Sequence, residues 1–295
     1  MRIACPLCEG PSSFAFTTHD RNRGLSEEDF NYRVCDHCRA IFLADPPDDL
    51  GRFYPDEYYV LPTGETLERA ARAERYKLGL IRPFAEGGRL VEIGPGPGTF
   101  AFAARQGGFD VTGIAMDARS SEHLRTAIGV DAVTSDSPAR ALEELPPSRV
   151  IAMWHVLEHL RDPWACLDAA ARSLEPGGVV AVAVPNPRSF QFRIMRGRWP
   201  HVDAPRHLFL IPAQLLEERA RAAGLELAML TARDRGGIYW NRFGWQHILM
   251  RPRQSKARTA AALAFGIGAA ALMAPIELSD LRGSTYTAVF RKTVT

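Results

Sequence analysis

The chain of 295 residues contains few cysteines and little net charge. Four of its five cysteines form two C-x-x-C pairs, which argues against a disulfide-rich secreted scaffold. It has no lysine-rich tract and no clustered aromatics of the RNA-binding type, which argues against a nucleic-acid partner. No apolar leader precedes the first cysteine, so we expect a cytoplasmic protein with reduced thiols.

The formal net charge of +2 conceals a strong asymmetry along the chain. Residues 1–184 carry a net charge of −8, residues 185–258 carry +9, and residues 259–295 carry +1. The basic block predicts an anionic partner or acceptor, such as a phosphorylated compound, a lipid headgroup or nucleic acid. A solvated arginine-rich surface is the alternative.

The two cysteine pairs predict an N-terminal zinc ribbon over residues 1–45. Each C-x-x-C places two thiolates on one turn, and two such turns complete a tetrahedral Zn²⁺ site. The predicted ligands are Cys5, Cys8, Cys35 and Cys38. A closed site of four thiolates has no open position, so we expect a structural role. A redox pair is the alternative.

Residues 46–88 form a tyrosine-rich connector and a helix predicted over 66–82. Tyr58 and Tyr59 are candidates for contacts to a substrate. The alternative is an aromatic patch that joins the ribbon to the following domain.

A glycine loop at residues 94–98 is the most informative motif of the chain. An apolar run ending in Glu92 and Ile93 predicts a buried strand, and the segment from Thr99 predicts a helix. Glycines at alternate positions let the backbone approach a nucleotide cofactor closely. A dinucleotide fingerprint would need a third glycine where this chain has Thr99, so a different cofactor is indicated.

Strand and helix patterns alternate over residues 89–295 and predict an α/β fold, a doubly wound seven-stranded, mostly parallel sheet. Six further strands are predicted at 110–114, 132–134, 150–154, 178–184, 225–230 and 286–290. Ligands bind at the carboxyl ends of such strands. We therefore expect one site formed by the glycine loop, residues 115–117, Asp136 and residues 154–159.

The order of these motifs resembles that of zinc-ribbon-bearing class I S-adenosylmethionine (SAM) methyltransferases related to the ubiquinone-biosynthesis O-methyltransferases. The motifs that carry the resemblance are the paired C-x-x-C, Glu92–Gly98, His155–Pro163, Glu175–Gly178 and Val184–Asn186. The resemblance implies a Rossmann-like methyltransferase fold with SAM as cofactor. The resemblance assigns the glycine loop and Asp136 to SAM; with the strand-end residues and a possible substitute for the ribose carboxylate, the predicted cofactor residues are Glu92, Gly94, Pro95, Gly96, Gly98, Asp117, Asp136, Trp154 and His155.

One position departs from that family pattern. The resemblance implies an acidic residue at the end of the second strand to bind the ribose hydroxyls, but Ala115 stands there. Losing such an acceptor costs about 1.5–3 kcal/mol unless Asp117, two residues later, replaces it. This departure keeps a non-catalytic scaffold protein as an alternative function.

Two polar clusters are candidates for the chemistry. The related O-methyltransferases have Glu-x-x-Glu-His after the fourth strand, associated with a divalent metal; this chain has His155, Glu158 and His159, a candidate second metal site. The other cluster spans residues 199–208. The predicted catalytic residues are His207 as general base, His159 as second choice, Glu158 and Asp203. Trp199 and Arg206 are predicted to bind substrate. A packing loop with a buried tryptophan is the alternative.

Two insertions, at about 186–212 and 236–280, are expected to cover the acceptor. The second contains the apolar segment 260–276, preceded by Arg251, Arg253, Lys256 and Arg258. We expect a helix buried against the domain, because a membrane crossing would separate the last strand from its sheet. The alternative is peripheral membrane contact through 251–276 at the inner membrane face.

The sequence therefore predicts a SAM-dependent methyltransferase acting on a small-molecule or lipid-linked acceptor, with oxygen as the expected accepting atom. An RNA-directed methyltransferase using the zinc ribbon is the alternative among enzymes.

Overall fold

The computed structural model of the protein describes residues 3–55, 58–251 and 254–293. Its strands are β1 (Ser12–Thr18), β2 (Phe30–Cys35), β3 (Ile41–Leu43), β4 (Gly88–Ile93), β5 (Phe109–Ala115), β6 (Asp131–Thr134), β7 (Ser148–Trp154), β8 (Leu174–Pro185), β9 (Phe209–Leu210), β10 (Leu225–Thr231) and β11 (Thr285–Lys292). Its α-helices are α1 (Gly64–Ile81), α2 (Thr99–Gln106), α3 (Ala118–His123), α4 (Pro138–Glu143), α5 (Pro163–Ser173), α6 (Phe190–Met195), α7 (Ala213–Ala222), α8 (Arg235–His247) and α9 (Lys256–Glu277). Short helical turns lie at Gly51–Phe53, Leu124–Ile128, Leu157–His159, Arg196–Arg198 and Pro200–Val202.

A seven-stranded sheet in the order β10-β11-β8-β7-β4-β5-β6 forms the centre of the molecule. β11 is antiparallel to both of its neighbours, and the pairs from β8 to β6 are parallel. This confirms the predicted doubly wound, mostly parallel sheet. Helices cover both faces, so inner strands such as β8 are apolar on both sides; residues 178–186 are all buried.

The parallel strands β4, β5, β6 and β7 end at the same edge of this sheet. The glycine loop follows β4, Asp117 follows β5, Asp136 follows β6, and the turn at Leu157–His159 follows β7. The carboxyl edge therefore holds the motifs that the sequence analysis placed in one site.

A second, four-stranded sheet has the order β1-β2-β3-β9. Its first three strands come from the N-terminal module, but β9 comes from the insertion at 186–212. The pairing of β3 with β9 joins Ile41 to Leu210 and Phe42 to Phe209. Trp164 on α5 also donates a hydrogen bond to the carbonyl of Leu7 at 3.0 Å. The N-terminal module therefore shares a sheet and an apolar core with the main domain.

The segment 260–276 lies in α9, which packs on α8 as one arm of a helical hairpin between β10 and β11. Our expectation that this helix is buried against the domain is wrong. Its buried residues, within the described chain, are Ala262, Gly266 and Glu277, whereas Leu272 is 73% exposed. In the described part of the chain, α9 is the one helix long and apolar enough to cross a bilayer on length and composition. Pro252 and Arg253, in the predicted membrane segment, lie outside the described residues.

Candidate active site

The glycine loop connects β4 to α2 in a conformation that requires its glycines. Gly94, Gly96 and Gly98 have φ angles of +62°, +52° and +72°. A Cβ on Gly98 would lie 2.7 Å from Ile128, and one on Gly94 would lie 2.9 Å from Val156. The loop thus brings bare backbone and the amino end of α2 to the carboxyl edge of the sheet, which fits a nucleotide cofactor.

Glu92 lies at the buried end of β4, directly before this loop. One carboxylate oxygen, Oε2, has no hydrogen-bond partner among the described residues. Burial raises the pKa of Glu92 to about 8, although the nearby charge of Lys77 opposes the shift. A buried carboxyl with a free oxygen at a glycine loop is the arrangement that a ligand donor would complete, so these residues fit SAM.

The two remaining acidic candidates occupy the outer part of the same edge. Asp117 caps α3, where its carboxylate accepts bonds from the backbone N–H of Ser120 at 2.8 Å and from its hydroxyl at 2.7 Å. Asp136 is exposed beyond β6, and Ala115 is buried at the end of β5. A contact from Asp117 to a ribose stays a prediction.

A chain of tyrosines runs from the glycine loop to the histidines. The Tyr59 ring covers Gly96, since a Cβ there would lie 3.2 Å from the ring. Ring centroids are 4.8 Å apart between Tyr59 and Tyr58, and 5.0 Å apart between Tyr58 and Tyr54. The Tyr54 hydroxyl lies 2.9 Å from Nδ1 of His159. The tyrosine-rich segment predicted ligand contacts from Tyr58 and Tyr59, and Tyr54 of the same segment joins them in the structure.

Three titratable side chains meet beyond β7, and we call them the open cluster: Glu158, His159 and His207. One ligand atom from each lies within 4.8 Å of the others. Nδ1 of His159 lies 3.0 Å from the carbonyl of Arg206, and Nδ1 of His207 lies 2.9 Å from the carbonyl of His201. A carbonyl only accepts, so we assign the proton of each ring to Nδ1, which leaves Nε2 with a lone pair.

Burial keeps both rings of the open cluster neutral. It lowers the pKa of His159 to about 4, with a further contribution from His207, and it also lowers the pKa of His207. Burial raises the pKa of Glu158, whose Oε2 has no hydrogen-bond partner in the described chain. The open cluster can therefore accept a proton or hold a divalent cation.

The trio that the structure assembles differs from the predicted metal set. His207 replaces His155 as the third member of the trio. His155 lies next to the trio, with its Nδ1 3.2 Å from Oε1 of Glu158. The His155 ring faces Trp240 of α8 at 5.0 Å and has a positive φ of 59°. Sequence reasoning missed Trp240, because no motif marks a single aromatic residue on an amphipathic helix.

Arg206 and Asp203 are not placed as predicted. They form, with Asp20 of the N-terminal module, what we call the paired cluster. Nη2 of Arg206 donates to Asp20 at 2.7 Å and to Asp203 at 2.8 Å, and its side chain has no exposed surface. Burial alone would raise the pKa of Asp203, but Arg206 outweighs it and holds that pKa well below its ordinary value. A guanidinium so enclosed cannot meet a substrate, so the substrate-binding role of Arg206 is corrected to a structural one.

Trp199 is also a packing residue rather than a substrate contact. It is 1% exposed, and its Nε1 donates to Oε1 of Gln191 at 3.2 Å. Gln191 in turn donates to Glu277 at 2.8 Å, as does Trp245. This network ties the insertion at 186–212 to the end of α9.

The four N-terminal thiols converge as predicted. Their sulfur atoms are 3.8 Å apart between Cys5 and Cys38 and 3.5 Å apart between Cys8 and Cys35. A tetrahedral ion with zinc–sulfur bonds of about 2.3 Å implies sulfur separations of about 3.8 Å. The four residues therefore fit a zinc ion, and Cys166 is buried elsewhere, beside Met153.

The sheet order, the glycine loop and the edge site define a class I SAM-dependent methyltransferase. Residues 64–230, more than half of the chain, match the family described as a methyltransferase domain, and the chain belongs to that family. It is therefore an enzyme of this class with SAM as its cofactor.

Relatives and solved structures agree with this assignment. The chain is 31% identical over 153 residues to a ubiquinone biosynthesis O-methyltransferase of Bordetella avium, covering 48% of this chain and 63% of that protein. It is 30% identical over 198 residues to the enzyme of the same name from Cereibacter sphaeroides, covering 62% and 76%. A SAM-dependent methyltransferase structure from Archaeoglobus fulgidus shares the fold, with a TM-score of 0.50 at 14% identity, covering 75% of this chain and 94% of that one.

Proposed function

We propose that this methyltransferase acts on a hydroxyl oxygen of a small-molecule or lipid-linked acceptor, with His159 accepting the hydroxyl proton. The observation that carries the proposal is the neutral imidazole pair of the open cluster, which lies beside the tyrosines that cover the glycine loop. SAM, when bound, supplies an electrophilic methyl group on a sulfonium sulfur.

An oxygen acceptor must lose its proton as it attacks the methyl carbon, so a nearby base is needed. The Nδ1 proton of His159 is directed to the carbonyl of Arg206, which leaves Nε2 to take the hydroxyl proton of the acceptor. His159 is the partly exposed member of the open cluster, whereas Glu158 and His207 are buried. Buried neighbours hold the ring in place, which favours catalysis by a fixed base.

The open cluster also supports a second route to the same product. Glu158, His159 and His207 would hold a divalent cation, and a hydroxyl bound to that cation would ionise more readily. The O-methyltransferase names of the relatives support oxygen as the accepting atom in either route.

The test replaces His159 with alanine and measures methyl transfer from labelled SAM to a panel of phenols, catechols and amines. We expect wild-type transfer to hydroxyl compounds, and a fall of about 100-fold or more in His159→Ala, because general base catalysis is lost. SAM affinity measured by calorimetry should stay within about threefold of wild type.

His19→Ala is the matched control, since His19 is exposed on the N-terminal module. Transfer to amines alone would contradict the proposal, and unchanged turnover in His159→Ala would remove His159 from the mechanism. Dialysis that removes loosely held divalent cations, with metal analysis confirming that one zinc per chain is retained, separates the two routes, because only the metal route then loses activity.

A further inference from the structure

The hairpin of α8 and α9 exposes an apolar surface that the methyltransferase site does not use. The exposed fractions are 47% for Phe265, 56% for Ile267 and 73% for Leu272 on α9, and 49% for Ile238 on α8. We define the hairpin surface by its most exposed members, Ile238, Leu249, Leu263, Phe265, Ile267 and Leu272. Clustered apolar exposure of this kind marks an interaction site.

Helix α9 is apolar on every side, not on one stripe. Between Arg258 and Glu277 the sequence contains no charged residue. Helices of this type are normally surrounded by apolar material. Yet α9 contacts the protein along one side only within the described chain, where Gly266 packs against Gln246 of α8. Its remaining sides, about 33 Å long for 22 residues, therefore lack an apolar partner.

The charge within the hairpin, from residue 235 to residue 276, is entirely positive, and the exposed Asp280 lies beyond the end of α9. From Arg235 to Ile276 the sequence has six basic residues and no acidic residue. Lys256 and Arg258 lie exposed in the first turn of α9, and Arg251 is exposed just before it. Basic residues that flank an apolar surface match the negative potential of anionic lipid headgroups.

We propose that the hairpin surface docks on an anionic lipid bilayer, with α9 lying in the headgroup region and not crossing it. A crossing does not fit the topology, because β11 begins eight residues after α9 ends and pairs with β8 in the central sheet. The end of α9 is also held inside the protein, since Glu277 accepts hydrogen bonds from Gln191 and Trp245.

A second copy of this chain is the competing occupant, and the charges disfavour it. A two-fold dimer through this surface would bring each basic hairpin against another one, and residues 235–276 contain no acidic residue to pair with those charges. A bilayer containing anionic lipid offers both apolar depth and negative charge.

The test is flotation of the full-length protein with vesicles of phosphatidylcholine alone or with one third phosphatidylglycerol. We expect wild-type protein to float with the anionic vesicles, and raised salt to weaken that binding. The double variant Ile267→Glu/Leu272→Glu should bind about 30-fold more weakly or worse, because two apolar side chains no longer enter the bilayer.

Phe14→Glu is the matched control, since Phe14 is 61% exposed on β1 in the N-terminal module. It should bind vesicles within about twofold of wild type. Lys256→Glu/Arg258→Glu should remove most of the preference for phosphatidylglycerol while leaving the apolar surface intact.

Absence of wild-type flotation with anionic vesicles overturns the proposal. A concentration-dependent dimer that the Ile267→Glu/Leu272→Glu variant abolishes, without vesicle binding, also overturns it and assigns the surface to a second copy. SAM calorimetry on the same samples distinguishes failure of docking from failure of the proposed function, because the cofactor site does not include the hairpin surface.

Discussion

The paired cluster and the open cluster adjoin in the chain, since Arg206 belongs to the first and His207 to the second. They differ in how buried charge is compensated. In the paired cluster, one guanidinium meets the carboxylates of Asp20 and Asp203 at 2.7 and 2.8 Å. In the open cluster, His159 and His207 stay neutral and Glu158 retains an oxygen without a partner among the described residues.

This difference shows which buried polar groups hold the fold and which are available for chemistry. The buried ion pair gives both carboxylates a counter-charge, although Nη1 of Arg206 has no hydrogen-bond partner in the described chain. Breaking the pair would leave an uncompensated charge. A neutral imidazole whose Nδ1 is occupied still presents Nε2 to a proton or a cation. The comparison therefore assigns Arg206 to the scaffold and His159 to the reaction.

The N-terminal module contacts residues of both clusters. Asp20 belongs to it, and Tyr32 of β2 donates its hydroxyl hydrogen to the carbonyl of His207 at 2.7 Å. Leu43 donates a backbone bond to the carbonyl of Leu208 at 2.9 Å. The sequence predicted only a structural role for this module, but the module also forms hydrogen bonds with residues of the site.

The largest expected effect comes from removing the metal of the N-terminal module, which should damage both clusters together. A strong chelator should release about one zinc per chain and lower the thermal midpoint by 10 °C or more, because site binding and folding are coupled. Methyl transfer should fall in parallel. The measurements are metal analysis, calorimetric melting and turnover. Cys166→Ser is the control and should retain its zinc. A metal-free protein with unchanged melting would contradict the assignment.

Arg206→Met should break the paired cluster alone. We expect a loss of about 3–5 kcal/mol in the free energy of unfolding, since Asp20 and Asp203 would remain buried without a counter-charge. Denaturant unfolding measures this loss. Arg193→Met, on an exposed position of α6, should change stability by less than about 0.5 kcal/mol. Equal effects of the two substitutions would show that the ion pair is not a scaffold.

Glu92→Gln should change the free energy of unfolding in the opposite direction, by stabilising the protein at high pH. The pKa of Glu92 is about 8 in the fold against 4.5 ordinarily. The stability that depends on its proton is therefore complete below pH 4.5 and is lost as the pH rises through 8. We expect Glu92→Gln to stabilise the cofactor-free protein by up to about 4–5 kcal/mol at pH 8.5 and to change little at pH 4.5.

Urea unfolding at the two pH values measures this effect, with the exposed Glu86→Gln as control. At pH 8.5 the same variant should bind SAM about tenfold or more weakly, because a buried carboxylate acceptor at the glycine loop is replaced by a neutral amide. Gain of stability together with loss of affinity would place Glu92 in the functional class; a loss of both would make it a scaffold residue.

Much of the fold and the cofactor half of the site could be predicted from local patterns. The helix predicted over 66–82 is Gly64–Ile81, and the strand predicted over 132–134 is Asp131–Thr134. The glycine loop was recognisable because alternate glycines signal positive φ angles next to a buried strand. The part of the site that would bind the acceptor was harder to predict from the sequence. Trp199 and Arg206 were selected by residue type alone, and their partners lie in other elements.

Local chemistry alone determined the cofactor loop, the cysteine site and the sheet, since strand periodicity, positive φ and C-x-x-C spacing each act within a few residues. Only the tertiary structure decided which polar groups are free to react. Arg206 is neutralised by Asp20, 186 positions earlier, and His159 meets Tyr54 across 105 positions. The exposure of α9 was likewise decided by packing, because an apolar helix has the same sequence pattern in a core or against a membrane. The cost of burying a polar group depends on its partners, and those partners exist only once distant segments have folded together.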